Sequence, residues 1–200
     1  MKRYTVITTE KPDWDSIPKA YIDSYVWGGD YRPVAYGQLA FVPEKGFAVR
    51  LTCFESDPKA IYHGYNDPVY KDSALEFFAA FNNASPYYVN LETNANGAFL
   101  GAKRTCRKDK VPLDQLIDVS RFKIFSGREE DRWYVEYIYP IDVIRDVFGI
   151  DEFPRGYVFK GNFFKCGDET DSPHFGSYNP IVAPAPDFHR PECFAEFVIE

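Results

Sequence analysis

The sequence predicts an all-β fold: an antiparallel, jelly-roll-like β-sandwich with one short helix, in a single domain over residues 1–200. Three observations predict it. Apolar residues recur at every second position in short runs, the period of a strand with one buried face. The chain is 18% aromatic, with 15 Tyr and 18 Phe, residue types that favour strands over helices. Clusters of Gly, Pro, Asn and Asp separate the runs at close spacing, as the turns of all-β proteins do. With 45% hydrophobic residues among 200, one compact core is within reach, and no repeat or linker-like tract breaks the order.

Met1–Thr9 holds a short β-prone run, read as an edge strand. Trp14, Ile17, Ala20 and Ile22 belong to a Pro-punctuated segment that wraps the core. Val26-Trp27-Gly28-Gly29-Asp30 reads as a turn, with Trp27 as a core or lid aromatic. Val34–Val42 and Phe47–Phe54 pair around Pro43-Glu44-Lys45-Gly46. Phe47, Val49, Leu51 and Cys53 then face inward, Arg50 and Thr52 outward. A loop containing His63 leads into a central hairpin. There Leu75, Phe77 and Ala79 share one face and Glu76 and Phe78 the other. In its second strand Tyr87, Val89 and Leu91 oppose Tyr88, Asn90, Glu92 and Asn94. Asn82-Asn83-Ala84-Ser85-Pro86 supplies the turn between them. A sheet face carrying aromatics, two carboxylates and two amides is either solvated surface or a binding platform.

Ala98–Arg104 reads as a further strand, and Lys103, Arg104, Arg107, Lys108 and Lys110 as a basic cluster in a solvated loop. Phe122–Phe125 and Arg132–Tyr139 pair, with Trp133, Val135, Tyr137 and Tyr139 on one face. Pro140 opens the helix Ile141–Phe148, whose apolar stripe is Val143, Ile144 and Val147 and whose stop is Gly149. Tyr157–Cys166 is a strand in which Gly161 marks a bulge or a close approach. The last strand runs through Phe197 and Ile199. Between these two strands lie long loops carrying His174, Tyr178, Phe188, His189 and Arg190, and loops of that kind on a rigid scaffold often bear function.

A net charge of −7 argues against nucleic acid or an anionic membrane as partner, and no stretch is long enough for a transmembrane helix. Met1-Lys2-Arg3 starts like a signal peptide, but the apolar run after it ends too soon. The chain as it stands is therefore expected in the cytoplasm, or outside it if a signal has been removed. Cys53, Cys106, Cys166 and Cys193 show no C-x-x-C spacing, so a zinc site is not expected. Two disulfides are open to a secreted chain, and free thiols are the simpler reading. No G-x-S-x-G, H-E-x-x-H, P-loop or G-x-G-x-x-G motif occurs, which sets aside the commoner enzyme classes.

Val69-Tyr70-Lys71-Asp72-Ser73-Ala74-Leu75-Glu76-Phe77-Phe78 resembles the D-S-V-E-F-F-type strand of family 9 carbohydrate-binding modules. Tyr88–Asn94, Gly161–Asp168, Tyr178-Asn179-Pro180 and Pro186-Asp187-Phe188-His189-Arg190-Pro191 are similar to a subgroup of that family, and the likeness runs from about Trp27 to the end. The resemblance implies a β-sandwich that binds sugars, often at chain ends, and is commonly appended to xylan- or cellulose-degrading enzymes. The partner implied is thus an oligo- or polysaccharide; oligomeric state is not readable. Well-known members hold a sugar ring between two tryptophans. Those positions fall here on Val69 or Tyr70 and on Phe188, while Glu76 matches the hydroxyl-binding glutamate. Calcium is a further implication of the family, but its ligands are not recognisable, so no cofactor is expected.

The candidate ligand-binding residues are Tyr70, Glu76, Glu92, Asn94, Tyr178, Asn179, Phe188, His189 and Arg190. Sugar faces present apolar C–H groups that pack on flat rings, while hydroxyls need directional partners. Carboxylates accept from such hydroxyls and a planar guanidinium donates to them. Each has a plainer reading: a solvated Glu76, loop packing for the aromatics, Arg190 paired with Glu192 or Asp187, structural histidines. A glycoside hydrolase using Glu76 and Glu92 as paired carboxylates is the alternative function, and an inert partner-binding sandwich the structural one. Haem held by Met and His is set aside, since the one Met begins the chain.

Overall fold

A computed structural model describes all residues Met1–Glu200. In chain order the elements are β1 (Arg3–Thr8), β2 (Ala20–Tyr21), β3 (Ser24–Gly28), β4 (Ala35–Val42), β5 (Gly46–Cys53), β6 (Ala74–Ala80), β7 (Tyr88–Asn94), β8 (Phe99–Arg104), β9 (Lys110–Pro112), β10 (Phe125–Arg128), β11 (Trp133–Pro140), α1 (Ile141–Phe148), β12 (Val158–Gly167), β13 (His174–Ser177) and β14 (Ala195–Ile199), with four short 3-10 turns between them. One leaf of the sandwich has the order β10-β11-β5-β4, and the other β14-β12-β6-β7-β8-β9.

The first strand is not at an edge. Arg3–Val6 pair in parallel with Glu196–Ile199 of β14, and Ile7–Thr8 continue in parallel beside Ala40–Phe41 of β4. β1 therefore joins the two leaves, with Tyr4 and Val6 in the core. Its pairs are the parallel exceptions in an otherwise antiparallel fold. Val26–Gly28, expected in a turn, lie in β3, which pairs with β13. The strand expected from Phe122 starts only at Phe125, because a 3-10 turn over Val119–Arg121 precedes it.

Between the leaves lies the aromatic core that the alternation prescribed. Phe47, Val49, Leu51 and Cys53 of β5 meet Leu75, Phe77 and Ala79 of β6 and Trp133, Val135, Tyr137 and Tyr139 of β11. Phe47 sits at its centre, with ring centroids 5.0 Å from Phe81 and Phe153 and 5.3 Å from Phe159. Each such side chain contributes about 1.5–3 kcal/mol by leaving water. Helix α1 spans the range expected. Pro140 is its N-cap, and Gly149 ends it in the left-handed conformation at φ 74°, donating its N–H to the Arg145 carbonyl. All four cysteines are unpaired.

Gly161 is a close approach and not a bulge: it stays in register with Ala79 of β6 and Ala195 of β14. A Cβ there would lie 2.8 Å from the Phe78 carbonyl oxygen and 3.2–3.3 Å from the rings of Phe77 and Phe197. Gly161→Ala is expected to cost about 1–3 kcal/mol through this overpacking and to lower Tm by roughly 3–10 °C. An unchanged thermal transition would show that β6 and β12 can part at no cost.

Candidate functional site

The outer face of the β12-β6-β7-β8 leaf is half covered. Alternation turns Glu76 and Phe78 of β6 away from the core, and the antiparallel register sets Glu76 opposite Glu92 and Phe78 opposite Asn90 of β7. Phe164 and Cys166 of β12 and Tyr88 of β7 share this face, and with Phe78, Ile181, Phe188 and Phe194 they form a second apolar cluster. The chain after β13 folds back over the sheet to supply Ile181, Phe188 and Phe194. Phe188 stacks on Phe164, centroids 4.3 Å apart and planes 11° from parallel. Asn162 and Asn179 fasten the start of this cover by a reciprocal pair, Asn162 Nδ2 to the Asn179 carbonyl at 3.0 Å and Asn179 N–H to Asn162 Oδ1 at 2.8 Å. Trp27 Nε1 holds it further along, donating to the Ala183 carbonyl at 3.2 Å.

Where the cover stops, a cleft of about 330 Å³ opens, lined among others by Tyr70, Glu76, Glu92, Arg104, Phe188 and His189. A polar chain crosses its floor. Arg104 Nε donates to Asn90 Oδ1 at 2.7 Å, and Asn90 Nδ2 donates to Glu92 Oε1 at 2.8 Å. Glu92 Oε2 is buried with no hydrogen-bond partner, a costly arrangement unless a donor comes from a ligand. Glu76 is 2% exposed. Burial, then the neighbouring Glu92, pushes its carboxyl well above the usual range. Burial also raises Glu92, against the Asn90 hydrogen bond and the Arg104 charge. His189 Nδ1 shares a 2.9 Å hydrogen bond with the Tyr88 hydroxyl. Burial, with Arg104 and Arg107 nearby, brings its pKa down to about 3, so the ring is neutral at pH 7.

Of the residues proposed from sequence, Tyr70, Glu76, Glu92, Phe188 and His189 come together at this cleft. Four do not. Asn94 is buried behind the sheet end, donating to Asp72 Oδ2 and the Tyr62 carbonyl, both at 2.9 Å, and accepting from Asn96 and Ala98 N–H; its amide is fully engaged. Tyr178 lies in the main core, its ring edge-on to Tyr4 and Phe163 and its hydroxyl on the Arg3 carbonyl. Asn179 is a fastener, tied also to Lys2 N–H and the Cys193 carbonyl at 2.7 Å each. Arg190 points into a neighbouring depression and pairs with Glu192 at 2.7 Å. Phe188 lines the cleft with one ring face taken by Phe164, and at 8% exposed it leaves a sugar little of its surface.

The cleft also includes residues read from sequence as a solvated loop: Arg104, Arg107, Lys108 and Lys110. Arg104 is only 7% exposed. The period from Leu100 through Ala102 to Arg104 places it on the outer face beside Tyr88, and that alternation was the signal for it. Phe175 and Asp168 are further lining residues. No group of three or more His, Cys, Asp and Glu side chains converges to hold a metal ion.

Solved structures share this architecture. A candidate carbohydrate-binding protein from Bacteroides uniformis ATCC 8492 superposes with a TM-score of 0.81 at 22% identity, over 100% of this chain and 99% of the other. A family 9 carbohydrate-binding module from Caldicellulosiruptor kristjanssonii superposes in its glucose complex with a TM-score of 0.70 at 14% identity (100% and 96% covered), and in its cellotriose complex with 0.69 at 13% (100% and 94%). At these identities the likeness establishes the fold. No curated protein matches the sequence. The model of carbohydrate-binding family 9 matches residues 8–199, almost the whole chain, and the protein therefore belongs to that family.

Proposed function

We propose that the cleft over β6, β7 and β8 is the sugar site, and that it binds an oligosaccharide ring without cleaving it. The observation that carries this reading is the pair Glu76 and Glu92: two buried carboxyls side by side, one with an unpartnered oxygen, beside the aromatic walls of Tyr70, Phe175 and Phe188. Hydroxyls of a sugar satisfy those oxygens, and its C–H face packs on Tyr70, the most exposed ring of the three. Both structures from Caldicellulosiruptor hold glucose-based sugars, which supports a pyranose of that type as the first probe.

Hydrolysis is disfavoured by placement. Glycosidase carboxyls flank the scissile bond, one protonating the leaving oxygen while the other attacks or directs water from the opposite side of the ring. Glu76 and Glu92 are direct neighbours across one antiparallel pair and rise from the same wall. They are arranged to hold one side of a ligand.

Calorimetric titration with glucose, cellotriose and xylotriose tests the site. At least one is expected to give saturable binding. Glu76→Ala is expected to weaken it by about 10–100-fold, the worth of a hydrogen bond to a charged or strongly polar group in a buried site. Tyr70→Ala is expected to weaken it by about tenfold through loss of the stacking surface. Saturable binding that neither substitution alters would place the site elsewhere on the molecule.

A further inference from the structure

The cleft is electrically polarised along the strand order. Asp168 follows β12 and Glu76 lies on β6, at one end; Arg104 on β8, Lys110 on β9 and Arg107 and Lys108 in the turn between them lie at the other, with Asp187 of the covering loop as an acid among them. Four cations on one wall are conspicuous in a chain of net charge −7. None of the four takes part in an ion pair of the protein. Arg104 is the telling one. It is nine-tenths buried, yet its guanidinium meets only neutral acceptors, Asn90 Oδ1 at 2.7 Å and the Arg107 carbonyl at 2.8 Å. A buried charge without a counter-charge is costly, and a guanidinium fork is matched by a planar or tetrahedral anion. Glu92 acts on it only at a distance, since Asn90 stands between the two side chains.

From these observations we infer that the sugar recognised here carries an anionic substituent, seated against Arg104, Arg107, Lys108 and Lys110 while its hydroxyls reach Glu76 and Glu92. The inference rests on the reading of the cleft as the sugar site. β6 and β8 are two strand spacings apart, roughly 10 Å, and Arg104 stands four residues along β8 from Leu100, the position level with Glu92 and Glu76, so a ligand that meets both ends runs diagonally across the leaf. The acids at the β6 end meet hydroxyls, and the bases at the β8–β9 end meet the anion. A uronate and a sulfate ester share the chemistry that this wall selects.

Titrations at about 20 mM and about 500 mM salt with four probes test the inference. Cellotriose is the neutral probe, trigalacturonate and glucuronosyl-xylotriose are the carboxylates, and an ι-carrageenan tetrasaccharide is the sulfate. At low salt at least one acidic probe is expected to bind about tenfold or more tighter than cellotriose, the worth of a charge-assisted contact. High salt should erase most of that advantage, and the better acidic probe tells carboxylate from sulfate. The triple variant Arg107→Gln/Lys108→Gln/Lys110→Gln changes exposed residues only; it should narrow the acidic probe's advantage over cellotriose by about threefold or more, the remainder resting on Arg104. Cellotriose binding as tightly as every acidic probe, with no salt dependence, overturns the inference and leaves the sugar site standing. Failure of all four probes to bind overturns both.

Discussion

Replacing Lys165 by methionine is expected to lower the unfolding free energy by about 3–5 kcal/mol, the cost of leaving a buried partner uncompensated. Lys165 sits on the inner face of β12 with no exposed side-chain surface, 3.5 Å from Glu55 Oε2. Its Nζ donates to Ser73 Oγ at 2.9 Å and to the Cys166 carbonyl at 3.0 Å, and lies 2.7 Å from His174 Nε2. Glu55 accepts further bonds from Trp133 Nε1 at 3.0 Å, the Tyr31 hydroxyl at 3.1 Å and the Ser73 hydroxyl. Burial alone would raise the Glu55 pKa. Lys165, with the bonds from Ser73, Trp133 and Cys53, outweighs it and takes the value down to about 2. Methionine keeps the volume and removes only the charge and donors, so the loss is electrostatic and not a cavity. Urea unfolding of Lys165→Met, Glu55→Gln and the double variant separates the terms: the double should lose much less than the two singles together. A loss under about 1 kcal/mol for Lys165→Met would mean that the ammonium contributes nothing net to the closed end of the sandwich.

Much of this architecture can be read along the chain because it is local. The hairpin β6–β7 follows from alternation, and α1 from Pro140 and Gly149, which act within a turn of their own positions. The role of β1 is not local. Nothing in Tyr4-Thr5-Val6-Ile7 says that its partners are β14, nearly two hundred residues away, and β4; an isolated β-prone run looks like an edge until tertiary pairing places it inside. The same limit divides the candidate site. Glu76 and Glu92 were legible because strand period fixes the face of each. Tyr178 and Asn179 were not, because a loop has no period to tell which side chain turns inward; Tyr178 went to the core and Asn179 to fastening the cover. Arg104 and Lys165 were both legible in principle. Arg104 keeps the outward parity of Leu100, and Lys165 the inward parity of Phe163. Their charge argued for solvent, and burial with polar partners overrode it.

Acid should unfold this protein in two stages: stability nearly level between about pH 6.5 and 4.5, then falling by about 6 kcal/mol between pH 4.5 and 2. Five groups set the shape. Burial and the Lys165 charge lower His174 from 6.5 to about 4, and burial with two arginines lowers His189 to about 3. Both rings stay neutral in the folded state while the unfolded chain takes up protons below pH 6.5, so each costs stability as pH falls. The Glu76–Glu92 pair acts in the opposite sense. Its carboxyls are raised by burial, so the folded protein binds protons before the unfolded chain does, and stability rises as pH falls toward the ordinary carboxylate value of 4.5. Below that value the pair contributes no further change. The histidines continue to cost stability, and Glu55, with its ordinary value of 4.5 lowered to about 2, joins them until pH 2. Urea unfolding at intervals of pH measures the profile, and Glu92→Gln dissects it. With one opposing carboxyl gone, the level region should tilt, so that stability falls between about pH 6.5 and 4.5 more steeply than in the wild type. A wild-type profile that already declines steadily from pH 6.5 would mean that the two cleft carboxyls are solvated, and the floor of the proposed sugar site would be open water instead of a buried acceptor pair.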